Sequence, residues 1–190
     1  MEYLDLLDEY GNPSGKTKER AAVHRDGNLH RTVHIWIARR SQETGRIQIL
    51  MQKRSDQKDS YPGCYDISAA GHVPAGEGYL AAARRELLEE LGIEASESDL
   101  EFLFFHKGYA ENFFCGSPFR NYEYSAVYLY RKPVTAETLL LQKEEVSAVC
   151  WMNYGDVLLK VLGDAPEFCV FPDEFTRLEA CLNQAELFSY

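Results

Sequence analysis

The residues Gly71-His72-Val73-Pro74-Ala75-Gly76-Glu77-Gly78-Tyr79-Leu80-Ala81-Ala82-Ala83-Arg84-Arg85-Glu86-Leu87-Leu88-Glu89-Glu90-Leu91-Gly92-Ile93 spell a loop, a helix and a second loop. From Gly78 to Leu91 the leucines recur at helical rather than strand spacing. At ~100° per residue, Leu80, Leu87, Leu88 and Leu91 share one arc, while Glu86, Glu89 and Glu90 share a roughly opposite one. This predicts a helix with a core face and an acidic face. Gly71 permits a tight backbone turn, Glu77 sits where it can pair with Arg85 near the helix start, and Gly92 suits the position just past the helix end.

The acidic face needs an explanation, because stability alone would not select it. Glu86 and Glu90 stand four residues apart and Glu86 and Glu89 three, spacings at which like charges destabilise a helix by about 0.2–0.5 kcal/mol per pair. A hard divalent cation reverses that sign, since Mg²⁺ takes oxygen ligands, keeps several waters and is commonly shared between carboxylates and substrate phosphates. The cluster therefore reads as half a metal site, completed by a diphosphate. The blander alternative is a solvated acidic face balanced by Arg84 and Arg85.

Taken together, Gly71, Glu77, Arg85, Glu86, Leu87, Glu89, Glu90, Gly92 and Ile93 form Gly-x5-Glu-x7-Arg-Glu-U-x-Glu-Glu-x-Gly-U, with U an apolar residue. At residue frequencies of roughly 6% per fixed position, a chance match in a chain of this size is rarer than about one in a million. The segment resembles the Nudix box at every position. Similarity to the Nudix hydrolases implies an α/β fold, an α/β/α sandwich around a mixed β-sheet, and cleavage of diphosphates linked to some other moiety by water attack on phosphorus. It further implies one or more Mg²⁺ or Mn²⁺ ions held by Glu86, Glu89 and Glu90 with the Ala70 backbone carbonyl. Arg85 and Glu77 would brace those glutamates. The box does not specify the carboxylate that orients or deprotonates the water, for which Glu89, Glu123, Glu144 and Glu145 are candidates.

Likeness extends beyond the box. Tyr3 to Gly15, His24 to His30, the Pro62-Gly63 turn and Tyr65 to His72 resemble the Nudix branch related to type I isopentenyl diphosphate isomerase, which covers roughly the first 150 residues. That isomerase carries a catalytic cysteine just before its Gly-His pair, where this chain has Ala70. It also has a second metal site, for which His24, His30, His72 and Glu123 align, although Asn121 stands where another glutamate is expected. Read without the likeness, the histidines suit hydrogen-bonded structural roles better than ligation. A metal-dependent hydrolase is the leading reading. The alternatives are an isomerase of prenyl diphosphates and a Nudix sensor that binds a ligand without cleaving it.

Working outward, thirty acidic residues against twenty basic ones give a net charge of −10, which excludes a broad electrostatic grip on a nucleic acid polymer. Any anionic substrate then needs local cations. The chain of 190 residues, 45% hydrophobic, is long enough to bury a substantial core. Five scattered cysteines form no Cys-x-x-Cys pair and fit reduced thiols in the cytoplasm. Met1 to Tyr10 holds four acidic residues and no basic leader, and no run approaches the roughly 18 apolar residues of a membrane span, so a soluble protein is expected.

Without repeats or a Pro/Gly/Ser-rich linker, residues 1–190 read as one domain: an N-terminal hairpin extension over 1–30, the box over 71–93 and C-terminal helices over 154–190. Gly11-Asn12-Pro13-Ser14-Gly15 predicts the hairpin turn. Strands are expected at Thr32 to Ala38, Ile47 to Lys53, Tyr65 to Ala69, Glu101 to His106, Tyr122 to Tyr130 and Val146 to Met152. Helices are expected at Tyr154 to Leu162 and Pro172 to Phe188. Gly108 to Asn121, with Tyr109, Phe113, Phe114 and Phe119, reads as a long connection, either contacting substrate or packed on the core. Lys53, Arg54 and Lys58 are candidates to contact a phosphate. The resemblance allows a homodimer.

Overall fold

The computed structural model describes residues 1–114 and 116–188, so Cys115 and the end of the expected helical segment 154–190 lie outside the described residues. Strands β1 (Tyr3–Leu7) and β2 (Pro13–Glu19) pair antiparallel as the expected N-terminal hairpin. The turn falls earlier than Gly11 to Gly15. Asp8 Oδ1 accepts the amides of Tyr10 and Asn12, each at 2.9 Å, and Pro13 already pairs with Leu7. A short helix, α1 (Arg20–Asp26), follows and ends at Gly27 with φ 66°. Its seven residues are too few to leave a periodic signal in sequence.

Next come β3 (His30–Arg40), β4 (Ile47–Arg54), β5 (Tyr65–Asp66) and β6 (Ala69–His72). The single strand expected at Tyr65 to Ala69 is thus two short ones on different partners. β5 pairs with β4 and β6 with β3. Helix α2 (Tyr79–Leu91) leads to β7 (Leu100–Phe114) and β8 (Ser117–Tyr130), then β9 (Val146–Asn153), α3 (Tyr154–Leu162) and α4 (Pro172–Gln184).

β3 organises the molecule. It runs parallel to β8 from His30 to Ile37 and antiparallel to β6 over its first half and to β4 at its end, so the sheet is mixed. Successive side chains of a strand point to opposite faces. Val33, Ile35 and Ile37 pack with Ala82, Ala83, Leu87 and Leu91 of α2 on one side. Trp36 and Ala38 pack with Val157 and Val161 of α3 and Phe175, Leu178 and Leu182 of α4 on the other. Helices cover both faces, which is the expected α/β/α sandwich, and explains why β3 reads almost continuously apolar after Thr32. Among the described residues, no helix is long and apolar enough to cross a membrane.

Three further expectations are corrected. Gly108 to Asn121 is not a connection: its residues extend β7 and β8 into a hairpin that pairs as far as Phe114 with Ser117, and Gly116 at φ 77° serves the turn. Its many aromatics suit a pleated surface. Leu88 is 49% exposed, so the apolar stripe of α2 is narrower than the wheel implied, and Glu86 and Glu90 are buried rather than solvated. Helix α4 stops at Gln184, short of Phe188.

Candidate active site

Along one face of β3 stand His30, Thr32 and His34, level with Glu123, Ser125 and Val127 of β8; on β6, His72 and Ala70 lie opposite Thr32 and His34. Thr32 and Ser125 hydroxyls share a 2.7 Å hydrogen bond. Of these, Thr32, His34, Ala70, His72 and Glu123 line a cleft of about 550 Å³, which also receives Arg85, Glu86, Glu89 and Glu90 from α2.

Helix α2 reaches the cleft because Gly71 has no side chain. A Cβ there would collide with Oε1 and Cδ of Glu86, so this glycine admits a carboxylate rather than making the expected tight turn; it lies inside strand β6. Arg85 then ties the box together. Its guanidinium contacts Glu86 at 2.7 Å, Glu89 at 3.0 Å and Glu77 at 3.2 Å, and donates to the His72 carbonyl at 3.0 Å. Gly92 ends the helix in the left-handed region at φ 69°, as its spacing predicted.

Glu90 Oε2 accepts the Ala70 amide at 3.1 Å and the Gln52 side-chain amide at 3.4 Å, so Ala70 meets the cluster through its N–H. Burial pushes the Glu86 carboxyl up to about 7 despite neighbouring Arg85. Burial and the charge of Glu86 push Glu90 well above the ordinary carboxylate range. Two neighbouring buried carboxyls, with Arg85 paired to Glu86, form a donor set that a divalent cation fits, since it would let both ionise. Glu89, half exposed and held by Arg85, stands at the rim.

The histidines converge as well. His24, His30 and His72 present ring nitrogens that all lie within 4.8 Å of one another. His24 Nε2 and His72 Nε2 are 3.0 Å apart, and His24 stacks on Phe119 with ring centroids at 4.6 Å. Burial lowers the pKa of all three, so the rings are neutral and keep lone pairs for a ligand. His30 Nδ1 bonds the Asn28 carbonyl at 2.9 Å, while His30 Nε2 and His24 Nδ1 are buried without a partner. Orphaned nitrogens in an imidazole trio fit a metal better than a packing role.

Glu123 lines the cleft beside this trio. Among the other candidate carboxylates, Glu145 lines the cleft in an ion pair with Lys58, and Glu144 is exposed. Of the basic candidates, Arg54 and Lys58 line the cleft. Arg54 is held by Asp66 at 2.8 Å and the Ser60 carbonyl at 2.9 Å. Lys53 instead lies over the Tyr65 ring at 6.0 Å. The aromatic hairpin contributes Tyr109 and Phe119 to the cleft; Tyr61, at φ 49°, accepts a 2.6 Å bond from Asn112 and packs edge-on against Phe114.

Sequence reasoning missed a buried network behind Glu123. His34 Nε2 lies 3.3 Å from Glu123 Oε2, and His34 Nδ1 lies 2.7 Å from Glu174 Oε2. Trp36 Nε1 donates to Glu174 Oε1 at 3.0 Å, and His106 Nδ1 lies 3.1 Å from Glu174 Oε2. Burial alone would lower the imidazole of His34, but the flanking carboxylates raise it well above its usual range; His34 in turn holds Glu123 and Glu174 low against their own burial. The available signal was polar residues at alternate positions, His30, Thr32 and His34, leading into the apolar run Ile35 to Ala38 of the same strand. Glu174 lies in the first turn of α4, where an acidic residue is ordinary and carries no sign of burial.

A model of the NUDIX domain matches residues 28–173. The chain belongs to the Nudix family. Among Nudix relatives it is 43% identical over 159 residues to Nudix hydrolase 3 of Arabidopsis thaliana, covering 82% of this chain but 20% of that protein. It therefore spans about a fifth of the length of that relative. It is 30% identical over 169 residues to isopentenyl-diphosphate Delta-isomerase 2 of Photorhabdus laumondii, covering 87% and 85% of the two chains. The crystal structure of DR0079 from Deinococcus radiodurans superposes with a TM-score of 0.67 over 93% of this chain and 98% of that one, at 22% identity, a likeness of fold. The chain is thus a Nudix protein of the branch resembling isopentenyl diphosphate isomerase, with Ala70 where the isomerases' catalytic cysteine is expected.

Proposed function

We propose that this Nudix protein cleaves a diphosphate bond in a nucleoside diphosphate linked to another moiety, or in a similar small phosphorylated metabolite, by water attack on phosphorus with Mg²⁺ or Mn²⁺. The observation that carries this reading is the burial of Glu86 and Glu90 side by side in the cleft, where only a cation would let both carry charge. Glu86, Glu89 and Glu90 would hold the ion with the Ala70 backbone carbonyl, while the Ala70 N–H anchors Glu90. When bound, it neutralises charge on phosphoryl oxygens and lowers the pKa of a bound water.

The chain's own residues do the rest. Arg85, held by Glu77 at 3.2 Å, braces Glu86 at 2.7 Å and Glu89 at 3.0 Å. Arg54 and Lys58 supply positive charge at a wall of the cleft in a protein that is acidic overall. Glu89, Glu123 and Glu145 remain candidates to orient or deprotonate the water. In this reading residues 1–190 work as one domain on a small molecule in the cytoplasm, without a nucleic acid polymer or membrane, and a homodimer is allowed.

The test is a panel of nucleoside diphosphate sugars, dinucleotides, nucleoside triphosphates and prenyl diphosphates assayed with Mg²⁺ and Mn²⁺. Turnover of at least one member is expected to fall by two or more orders of magnitude in Glu90→Gln. Undiminished metal-dependent turnover in that variant would count against the reading. The imidazole trio beside Glu123 favours a second reading, a prenyl diphosphate isomerase, which Ala70 opposes. Formation of dimethylallyl diphosphate from isopentenyl diphosphate would establish it.

A further inference from the structure

We propose that Cys64 and Cys169 form a reversible oxidation site at the wall of the cleft, where hydrogen peroxide oxidises Cys64 and Cys169 then closes a disulfide onto it. The site goes beyond the hydrolase reading and does not depend on it.

The backbone brings these two residues together from distant parts of the chain. Strand β5 runs beside the segment that leads into α4. The Tyr65 amide donates to the Glu167 carbonyl at 2.7 Å and the Cys169 amide to the Tyr65 carbonyl at 3.0 Å, which makes a parallel bridge between Tyr65 and Phe168. The Tyr65 and Phe168 rings lie together with centroids 5.5 Å apart. Successive side chains of extended backbone alternate in direction, so Cys64 and Cys169, which flank the bridge, fall on its other face. There the two thiols hydrogen-bond to each other. Cys64 Sγ also lies 3.6 Å from the Pro166 carbonyl oxygen, and Cys169 Sγ 3.4 Å from that of Tyr65. Cys64 is partly exposed, and Cys169 lines the cleft beside Phe168 and Phe171.

Their surroundings give the two sulfurs different parts. The hydrogen bond from Cys169 brings the Cys64 thiol down to about 7 against its partial burial, and the charge of Arg54 helps. Arg54 is close because its backbone N–H donates to the Cys64 carbonyl at 2.9 Å. The same thiol contact, with burial, pushes Cys169 well above the ordinary range, so it keeps its proton. Cys150 and Cys181 are instead pushed up by burial. An accessible thiolate beside a second thiol is the arrangement in which a peroxide is reduced. The Cys64 thiolate attacks one peroxide oxygen, the O–O bond breaks, hydroxide leaves, and the sulfur becomes a sulfenic acid. Cys64 then no longer carries the charge that raised Cys169. The Cys169 sulfur attacks the Cys64 sulfur and displaces its oxygen, which departs as water with the Cys169 proton. The two sulfurs have lost two electrons to the peroxide. The disulfide fastens the approach to α4 onto β5, and a small thiol reverses it by exchange.

The experiment treats the reduced full chain with hydrogen peroxide at neutral pH, caps the remaining thiols and maps the products by peptide mass spectrometry. The expected product is a Cys64–Cys169 disulfide that dithiothreitol reverses. Cys64 is expected to react about tenfold or more faster than Cys150 or Cys181, as its larger thiolate fraction requires. Cys169→Ser should stop at a Cys64 sulfenic acid, trapped by dimedone, and Cys64→Ser should leave Cys169 reduced under the same treatment. Both substitutions are nearly isosteric, and where one fails to fold the disulfide map of the parent decides. Three results would overturn the proposal: no Cys64–Cys169 disulfide in the parent, Cys64 reacting no faster than Cys150 and Cys181, or Cys169 oxidising at the parent's rate in folded Cys64→Ser. Glu90→Gln turnover reads the hydrolase proposal separately from all three.

Discussion

Glu86 shows how far one side chain's behaviour depends on its surroundings. In sequence it is one of three like charges on a helix; in the fold it enters a gap that Gly71 leaves open and loses its water. The folded chain holds its proton up to about pH 7, whereas the ordinary value is 4.5. Between those values the folded state binds more protons than the unfolded one, so this group's contribution to stability falls as pH rises through the window. Glu86→Gln removes the effect. With metal chelated, the variant is expected to gain on the parent by about 1–3 kcal/mol as pH goes from 4.5 to 8, measured by urea unfolding of both proteins at each pH. Taking the difference cancels the titrations of groups that do not couple to Glu86, leaving its own and that of neighbouring Glu90. A gap that stays flat with pH would show that Glu86 ionises normally. The box residues were legible one by one, because a seven-position pattern is specific; the burial of two of its carboxylates was not, because burial belongs to the neighbours.

Among elements, α4 both seats on the sheet and reaches the network behind the cleft. Phe175, Leu178 and Leu182 bury one stripe against Trp36, Ile49 and Val127 on the sheet, while Glu174 on the same helix enters the network of His34. Phe175→Ala leaves a cavity under Trp36 and is expected to destabilise the chain by about 3–5 kcal/mol, read as a lower denaturant midpoint. A midpoint unchanged within about 1 kcal/mol would mean that α4 is not seated on the sheet. Strand and helix positions were mostly legible, since period-two and 3.6-residue patterns are local. The β7–β8 hairpin escaped because its glycine and proline residues, Gly108, Gly116 and Pro118, read as loop signals. In the fold Gly108 instead leaves room for the Phe171 ring, which a Cβ would meet at 2.6 Å.

At the scale of the whole molecule, a net charge of −10 is reconciled with the proposed diphosphate substrate by concentrating cations in one place. Arg20, Arg54, Lys58 and Arg85 line the same cleft as the glutamates. A ligand that binds only the folded state stabilises it by about 2.7 kcal/mol at a hundredfold excess over its Kd. For a chain of this size that is roughly 5–10 °C in melting temperature. Mn²⁺ is expected to raise the melting temperature by such an amount, and Glu90→Gln to remove at least half of it, as followed by circular dichroism. Equal shifts in parent and variant would place the ion elsewhere.

The sequence by itself determined the family likeness, the layered α/β class, the loop-helix-loop of the box and the three glutamates with their bracing arginine. Each is carried by local spacing, which a chain possesses before it folds. Only the tertiary structure decided that Gly71 makes room for Glu86, that three histidines from α1, β3 and β6 meet, and that Glu174 reaches Glu123 through His34. Those contacts join residues up to 140 positions apart. They arise from strand pairing and from packing on both faces of one sheet, and no spacing along the chain encodes them.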